Sequence, residues 1–136
     1  MRILYIIYQI CIGLPIFLVL TILTALVTTL GCWLGNGHFW GYYPGKIWSQ
    51  LTCITFLLPI KVEGKENIDE KTSYVFLANH QGAFDIFLIY GYLGRNFKWM
   101  MKKSLRKIPF VGKACEMAGF IFVDKSSPRK VYETIK

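Results

Sequence analysis

Asn79-His80-Gln81-Gly82-Ala83-Phe84-Asp85 places an imidazole and a carboxylate five positions apart. On a single helix that separation is roughly 140° out of phase, since helical neighbours lie three or four apart. If His80 sits in a loop and Asp85 in the first turn of the next helix, the loop can fold back and bring the two together. Asp85 would then hold the proton on one ring nitrogen and leave the other to accept one, the orienting role of the third member of a hydrolase triad. No Ser or Cys lies inside the stretch as a nucleophile. A His/Asp pair of this kind suits activation of a hydroxyl that a substrate brings. On spacing alone, a hydrogen-bonded loop histidine beside a helix-start acid is an equal reading.

Such a pair must be positioned by the elements around it. Tyr74 to Ala78 is a short continuous apolar run between turn-prone Lys71-Thr72-Ser73 and Asn79, which predicts a buried strand of a mainly parallel sheet. The pair then falls past the carboxyl end of a strand, where open α/β sheets build their sites. Ile86 to Leu93, ending at Gly94, predicts a helix, and Phe97 to Met101 the next strand, giving a right-handed βαβ unit. Ser104 to Ala118 predicts a turn and a helix broken at Pro109, and Gly119 to Asp124 a third strand. Ser127-Pro128 supplies an N-cap and a first-turn proline for a last helix, with Val131 and Ile135 on one face. The glycines form no phosphate-binding loop motif.

The chain has 136 residues, 54% apolar and 16% aromatic, with a formal charge of +8. Few charges among many aliphatics exclude a disordered chain. Residues 1–60 hold only Arg2 and Lys46 and no acid, whereas residues 61–136 hold 14 basic and 8 acidic groups. The expected division is therefore a membrane-associated helical segment at 1–60 and a soluble-type part at 61–136. The charge-free run from Ile3 to Leu34 exceeds the ~20 residues needed to cross a bilayer core and is too long for a cleaved signal peptide. Gly13 and Pro15 predict a kink in it. A second apolar run, Ile47 to Ile60, has the length of an interfacial or re-entrant piece. Trp33, Trp40, Tyr42, Tyr43 and Trp48 gather at the turn between the runs, as rings do at headgroup depth. Two apolar helices that dip and return are expected; one spanning helix followed by a loop is the alternative.

Cys11, Cys32, Cys53 and Cys115 show no metal-ligand spacing and read as buried thiols of a reducing compartment. His38 reads as a polar interface residue. Arg95, Lys98, Lys102, Lys103, Arg106, Lys107 and Lys113 lie in an acid-free stretch, read as a surface for anionic headgroups, with a polyanionic substrate, a carrier protein or a plain solvated face as alternatives. The apolar N-terminal part argues against nucleic acid.

Asn79-His80-x4-Asp85 resembles the N-H-x4-D motif of the glycerolipid acyltransferases. A second block, Lys102-x-x-Leu105-x-x-x-Pro109-x-x-Gly112 followed by Gly119-Phe120-Ile121-Phe122-Val123-Asp124-Lys125, is similar to that family's second motif with its spacing intact. The resemblance implies an α/β acyltransferase domain behind an N-terminal two-helix membrane segment. It implies transfer of a fatty acyl group from acyl-CoA or acyl carrier protein to the hydroxyl of 1-acylglycerol 3-phosphate, giving phosphatidic acid. The catalytic part would face the cytosol at the cytoplasmic membrane, and no cofactor is implied beyond the acyl co-substrate. His80 would be the general base and Asp85 its orienter, with Asn79, Lys102 and Lys125 among the substrate-binding residues. Lys125 stands where the family more often has Arg, which keeps the charge and loses the bidentate fork. The family's E-G-T-R-like third block and its proline-ended fourth block do not occur, so the chain is expected to be the front part of such an enzyme. An acyltransferase for another lysolipid and an inactive membrane-bound fragment are the alternatives.

Overall fold

In the computed structural model, residues 1–79 and 81–136 are described. The charge-free N-terminal run forms one helix, Arg2–Leu34, built of α1 (Arg2–Tyr8), a π-helical turn (Gln9–Gly13) and α2 (Leu14–Leu34). Pro15 accounts for the turn: it has no N–H for the carbonyl of Cys11, and its ring crowds that carbonyl. The wider turn, in which the Leu14 N–H donates to the Gln9 carbonyl, carries the ladder past the defect. At 1.5 Å per residue, the 33 residues extend about 50 Å, against about 30 Å of bilayer hydrocarbon. By length and composition this is a candidate membrane span.

The chain then turns through α3 (Gly37–Trp40), where Asn36 Oδ1 accepts the His38 N–H at 2.8 Å. It returns as α4 (Tyr43–Thr55). The second apolar helix thus begins earlier than its expected start at Ile47, because Pro44 is tolerated in a first turn. α4 lies antiparallel to the first helix along its length. Tyr5 Oη donates to the Phe56 carbonyl at 2.6 Å, Tyr8 Oη to the Thr55 carbonyl at 2.8 Å, and Trp48 Nε1 to Thr21 Oγ1 at 3.0 Å.

α5 (Phe84–Tyr92) packs along α4 and also reaches the first helix, where Phe87 meets Phe17 at 5.8 Å. Small residues let these helices approach closely: Gly91 abuts Ser49 and Gln50, and Gly45 leaves room for the Tyr90 ring. Gln50 Nε2 donates to the Gly91 carbonyl at 2.9 Å. Tyr90 is buried and meets the rings of Tyr42, Phe97, Trp99 and Phe120 at 5.5–6.1 Å. That aromatic cluster is the centre of the core.

β1 (Met100–Lys102) pairs in parallel with β2 (Ile121–Val123), Met101 opposite Phe122. Between them lie a 3-10 turn (Lys103–Lys107), Pro109 and α6 (Val111–Met117), which packs on α2. A helix thus joins two parallel strands, as the sequence predicts for the second of its two strand–helix–strand units, whereas the first unit is not formed among the described residues. The expected strand at 74–78 does not form among the described residues, and the expected strand at 97–101 shifts to 100–102. Tyr74 and Phe76 are the less exposed, at 42% and 36%, Phe76 facing Phe97 at 6.3 Å, whereas Val75 and Leu77 are 90% and 95% exposed. Alternation of period two is present, but no described neighbour supplies the backbone ladder that makes a strand. α7 (Pro128–Ile135) starts as expected, with Ser127 Oγ accepting the Lys130 N–H at 3.3 Å.

Candidate active site

Asp85 occupies the first turn of α5, where the helix's unpaired N–H groups favour a carboxylate. Its Oδ2 accepts from the backbone N–H of Gln81 at 2.7 Å and of Gly82 at 2.9 Å. Its own N–H donates to the Gly82 carbonyl at 3.2 Å. The loop therefore folds back onto the carboxylate through its backbone N–H groups. His80 lies outside the described residues. Asn79 is exposed just before it, with no side-chain hydrogen bond among the described residues. The Phe84 ring meets Phe56 at 5.6 Å, and Phe87 meets Phe17 at 5.8 Å and Trp48 at 5.0 Å. The loop thus sits against the apolar helix pair, at the end where Tyr5 reaches Phe56.

The two lysines singled out by spacing come to one edge of the sheet. Lys102 ends β1 opposite Val123, and Lys125 lies two residues beyond Val123, so in a parallel pair both chains leave at the carboxyl edge. Both are exposed, and neither pairs with an acid among the described residues. Between them stands Asp124, which spacing alone does not mark as a site residue. Its Oδ1 accepts the Ser126 N–H at 3.0 Å, and its Oδ2 lies 3.6 Å from Lys130 Nζ and 3.9 Å from Lys103 Nζ. Hydrogen bonds from Ser126, then the two ammonium groups, hold its carboxyl down at about 2. The signal for it was the Asp-x-Ser turn, in which Asp caps the N–H two residues on.

The acid-free basic stretch does not act as one surface. Lys98 is exposed along its stem, but Nζ is turned back and donates to the Ala118 carbonyl at 2.7 Å; desolvation of the ammonium lowers its pKa, against an opposing pull from Cys32. Arg95 donates to the carbonyls of Asp69 and Thr72. Arg106 pairs with Glu116, which also lies 3.7 Å from Lys113 Nζ. Lys107, like Lys102, has no acid partner among the described residues.

His38 is tied to Asn96, whose Nδ2 donates to the His38 carbonyl at 2.9 Å and stands 3.1 Å from its Nε2. With Glu70, Gly94 and Arg95 they line an open polar cleft. The four cysteines are free thiols, and contrary to expectation Cys11 is exposed on the first helix. Burial pushes the Cys115 thiol up to about 11, which makes it a poor nucleophile near neutrality.

Comparison with known proteins adds a family to this geometry. The family described as Acyltransferase matches residues 59–136. The chain is 31% identical over 106 residues to a 1-acyl-sn-glycerol-3-phosphate acyltransferase of Saccharomyces cerevisiae, covering 75% of this chain and 33% of the relative. It is 30% identical over 96 residues to a chloroplastic 1-acyl-sn-glycerol-3-phosphate acyltransferase of Arabidopsis thaliana, covering 70% and 26%. With a Helicobacter pylori protein of the same activity name, identity is 29% over 85 residues, covering 62% and 35%. The chain thus spans about a third of the length of these curated relatives. No solved structure matches it.

Proposed function

The chain belongs to the acyltransferase family, and we propose that it carries the acid–base part of an enzyme that acylates 1-acylglycerol 3-phosphate to phosphatidic acid. The observation that carries this reading is the Asp85 carboxylate, turned back onto the N–H groups of Gln81 and Gly82, the two residues that follow His80 in the sequence. A carboxylate fixed in this way is suited to orient the neighbouring imidazole and to stabilise it once charged. His80 takes the proton of the acceptor's hydroxyl, and the oxygen attacks the thioester carbonyl of acyl-CoA or acyl carrier protein. The tetrahedral oxyanion collapses, the carbon–sulfur bond breaks, and the departing sulfur recovers the proton from His80. No covalent acyl-enzyme is required, in keeping with the lack of Ser or Cys in the motif. In this reading Lys102 and Lys125, exposed at one sheet edge, meet the acceptor's phosphate, and Asn79 contacts substrate.

The apolar helix pair against the loop fits an acceptor that resides in a bilayer. In this reading residues 1–60 hold the protein to the cytoplasmic membrane and residues 61–136 begin a mainly parallel α/β catalytic domain that faces the cytosol. The test is acyl transfer by the gene's full product, with a long-chain acyl-CoA or acyl carrier protein as donor and 1-acylglycerol 3-phosphate in vesicles as acceptor. His80→Ala is expected to lower kcat by about 10²–10⁴-fold with unchanged vesicle binding. Activity within tenfold of the parent would remove His80 as the base. Preference for a zwitterionic lysolipid over the phosphate acceptor would keep the chemistry and overturn the acceptor.

A further inference from the structure

Phe110, between Pro109 and α6, has φ 62 and ψ −52, and the Val111 N–H donates to the Pro109 carbonyl at 2.7 Å. That is a γ-turn of the strained, positive-φ kind, one that glycine would enter more easily than an aromatic residue. Folding alone would favour glycine here. Nor is the ring held by the core: Phe110 is 54% exposed, beside Ile108 at 43%. It lines a groove of about 160 Å³ with Ala25, Leu26, Thr29, Leu30 and Lys113, so the outward apolar face of the first helix continues sideways onto this turn. Residues 103–113 contain no acid; of their four cations Lys107 has no acid partner among the described residues, Lys103 lies 3.9 Å from Asp124, and Arg106 and Lys113 share the single carboxylate of Glu116.

We propose that the Pro109–Val111 turn is a lipid-inserting wedge. Phe110 and Ile108 enter an anionic phospholipid surface, and the surrounding lysines meet its phosphates. The inference rests on the membrane association proposed above and adds to it a second attachment point on the catalytic part. Charge selects the occupant. A second copy of this chain would set one net-positive surface against another, since four cations here share only Asp124 and Glu116, whereas an anionic bilayer offers apolar depth beneath negative headgroups. The strained turn is the means of presentation, since it holds the ring outward before any lipid arrives.

The experiment places an environment-sensitive fluorescent amino acid at position 110, or at position 129 on α7 as control, in the gene's full product. The probe is vesicles of phosphatidylcholine with or without phosphatidylglycerol, carrying bromine on the acyl chains. Quenching at 110 but not at 129, stronger with phosphatidylglycerol and weakened by Lys107→Glu with Lys113→Glu, is the expected result. A vesicle-bound protein whose 110 label stays open to aqueous iodide would overturn the wedge and leave membrane association intact. Equal quenching with and without phosphatidylglycerol would overturn the anionic preference. Failure to sediment with either vesicle would sink the membrane reading itself, and the wedge with it. Phe110→Gly separates the wedge from a packing role. It is expected to keep the melting temperature and to lose turnover several-fold on vesicle-borne acceptor, but not on a short-chain soluble one. A lower melting temperature with equal loss on both acceptors would assign Phe110 to packing.

Discussion

Asp85 and Asp124 are both carboxylates tied to backbone N–H groups, yet they differ in what a substitution should reveal. Asp85→Asn keeps an oxygen for the Gln81 and Gly82 N–H groups but not the charge that steadies an imidazolium. A fall in kcat of about 10²–10⁴-fold is expected, with KM and melting temperature nearly unchanged. A matching loss of thermal stability would instead make Asp85 a helix-start residue only. Asp124 is held at about 2 in the folded chain, below its ordinary 3.8, so the folded state binds that proton less readily than the unfolded one. Its contribution is present above about pH 4 and disappears as the pH falls toward about 2. The difference in melting temperature between the parent and Asp124→Asn should therefore be visible near neutrality and close over that acid range. A difference independent of pH would deny the carboxylate this part. Of these two, only Asp85 was legible from spacing, because its role is set by chain neighbours. Asp124 draws Lys103 and Lys130 from elsewhere in the chain, and only folding brings them to it.

At the scale of elements, local chemistry placed the helices well and the strands poorly. Pro15, Pro44 and Ser127-Pro128 act through bonds within a turn or two, so helix starts and the π-helical turn follow from them. A strand exists only if another chain segment supplies its ladder, and the apolar composition of 74–78 cannot say whether one does. The close seam between α4 and α5 is testable here. A methyl group on Gly45 would overlap the Tyr90 ring, and one on Gly112 would overlap the Arg106 carbonyl. Each alanine substitution is expected to destabilise by about 1–3 kcal/mol. Gly112→Ala should be the worse, since a carbonyl within the chain yields less than a side chain. Thermal melts in one detergent would check the order, and an unchanged melting temperature for Gly45→Ala would refute the seam.

For the whole molecule, the governing fact is the long apolar helix folded against α4, with α5 and the site loop packed on the same pair. Its outward face runs from Ile3 to Leu30 as exposed aliphatic side chains. Attachment through that face should survive alkaline carbonate and high salt, which strip proteins held by charge alone. Release of the chain by salt would leave only electrostatic binding. The sequence by itself determined the uneven charge, the apolar helix, the His80–Asp85 spacing and the start of α7 at Ser127-Pro128, because each depends on residue type and on neighbours a turn away. Tertiary structure alone decided that α4 packs against both the first helix and α5, and that β1 pairs with β2 in parallel. It also joined Lys102 and Lys125 at one edge, tied the Lys98 ammonium to the Ala118 carbonyl, and forced Phe110 outward. Those outcomes depend on which distant groups meet, and that choice is made by packing and hydrogen-bond partners that no local pattern encodes.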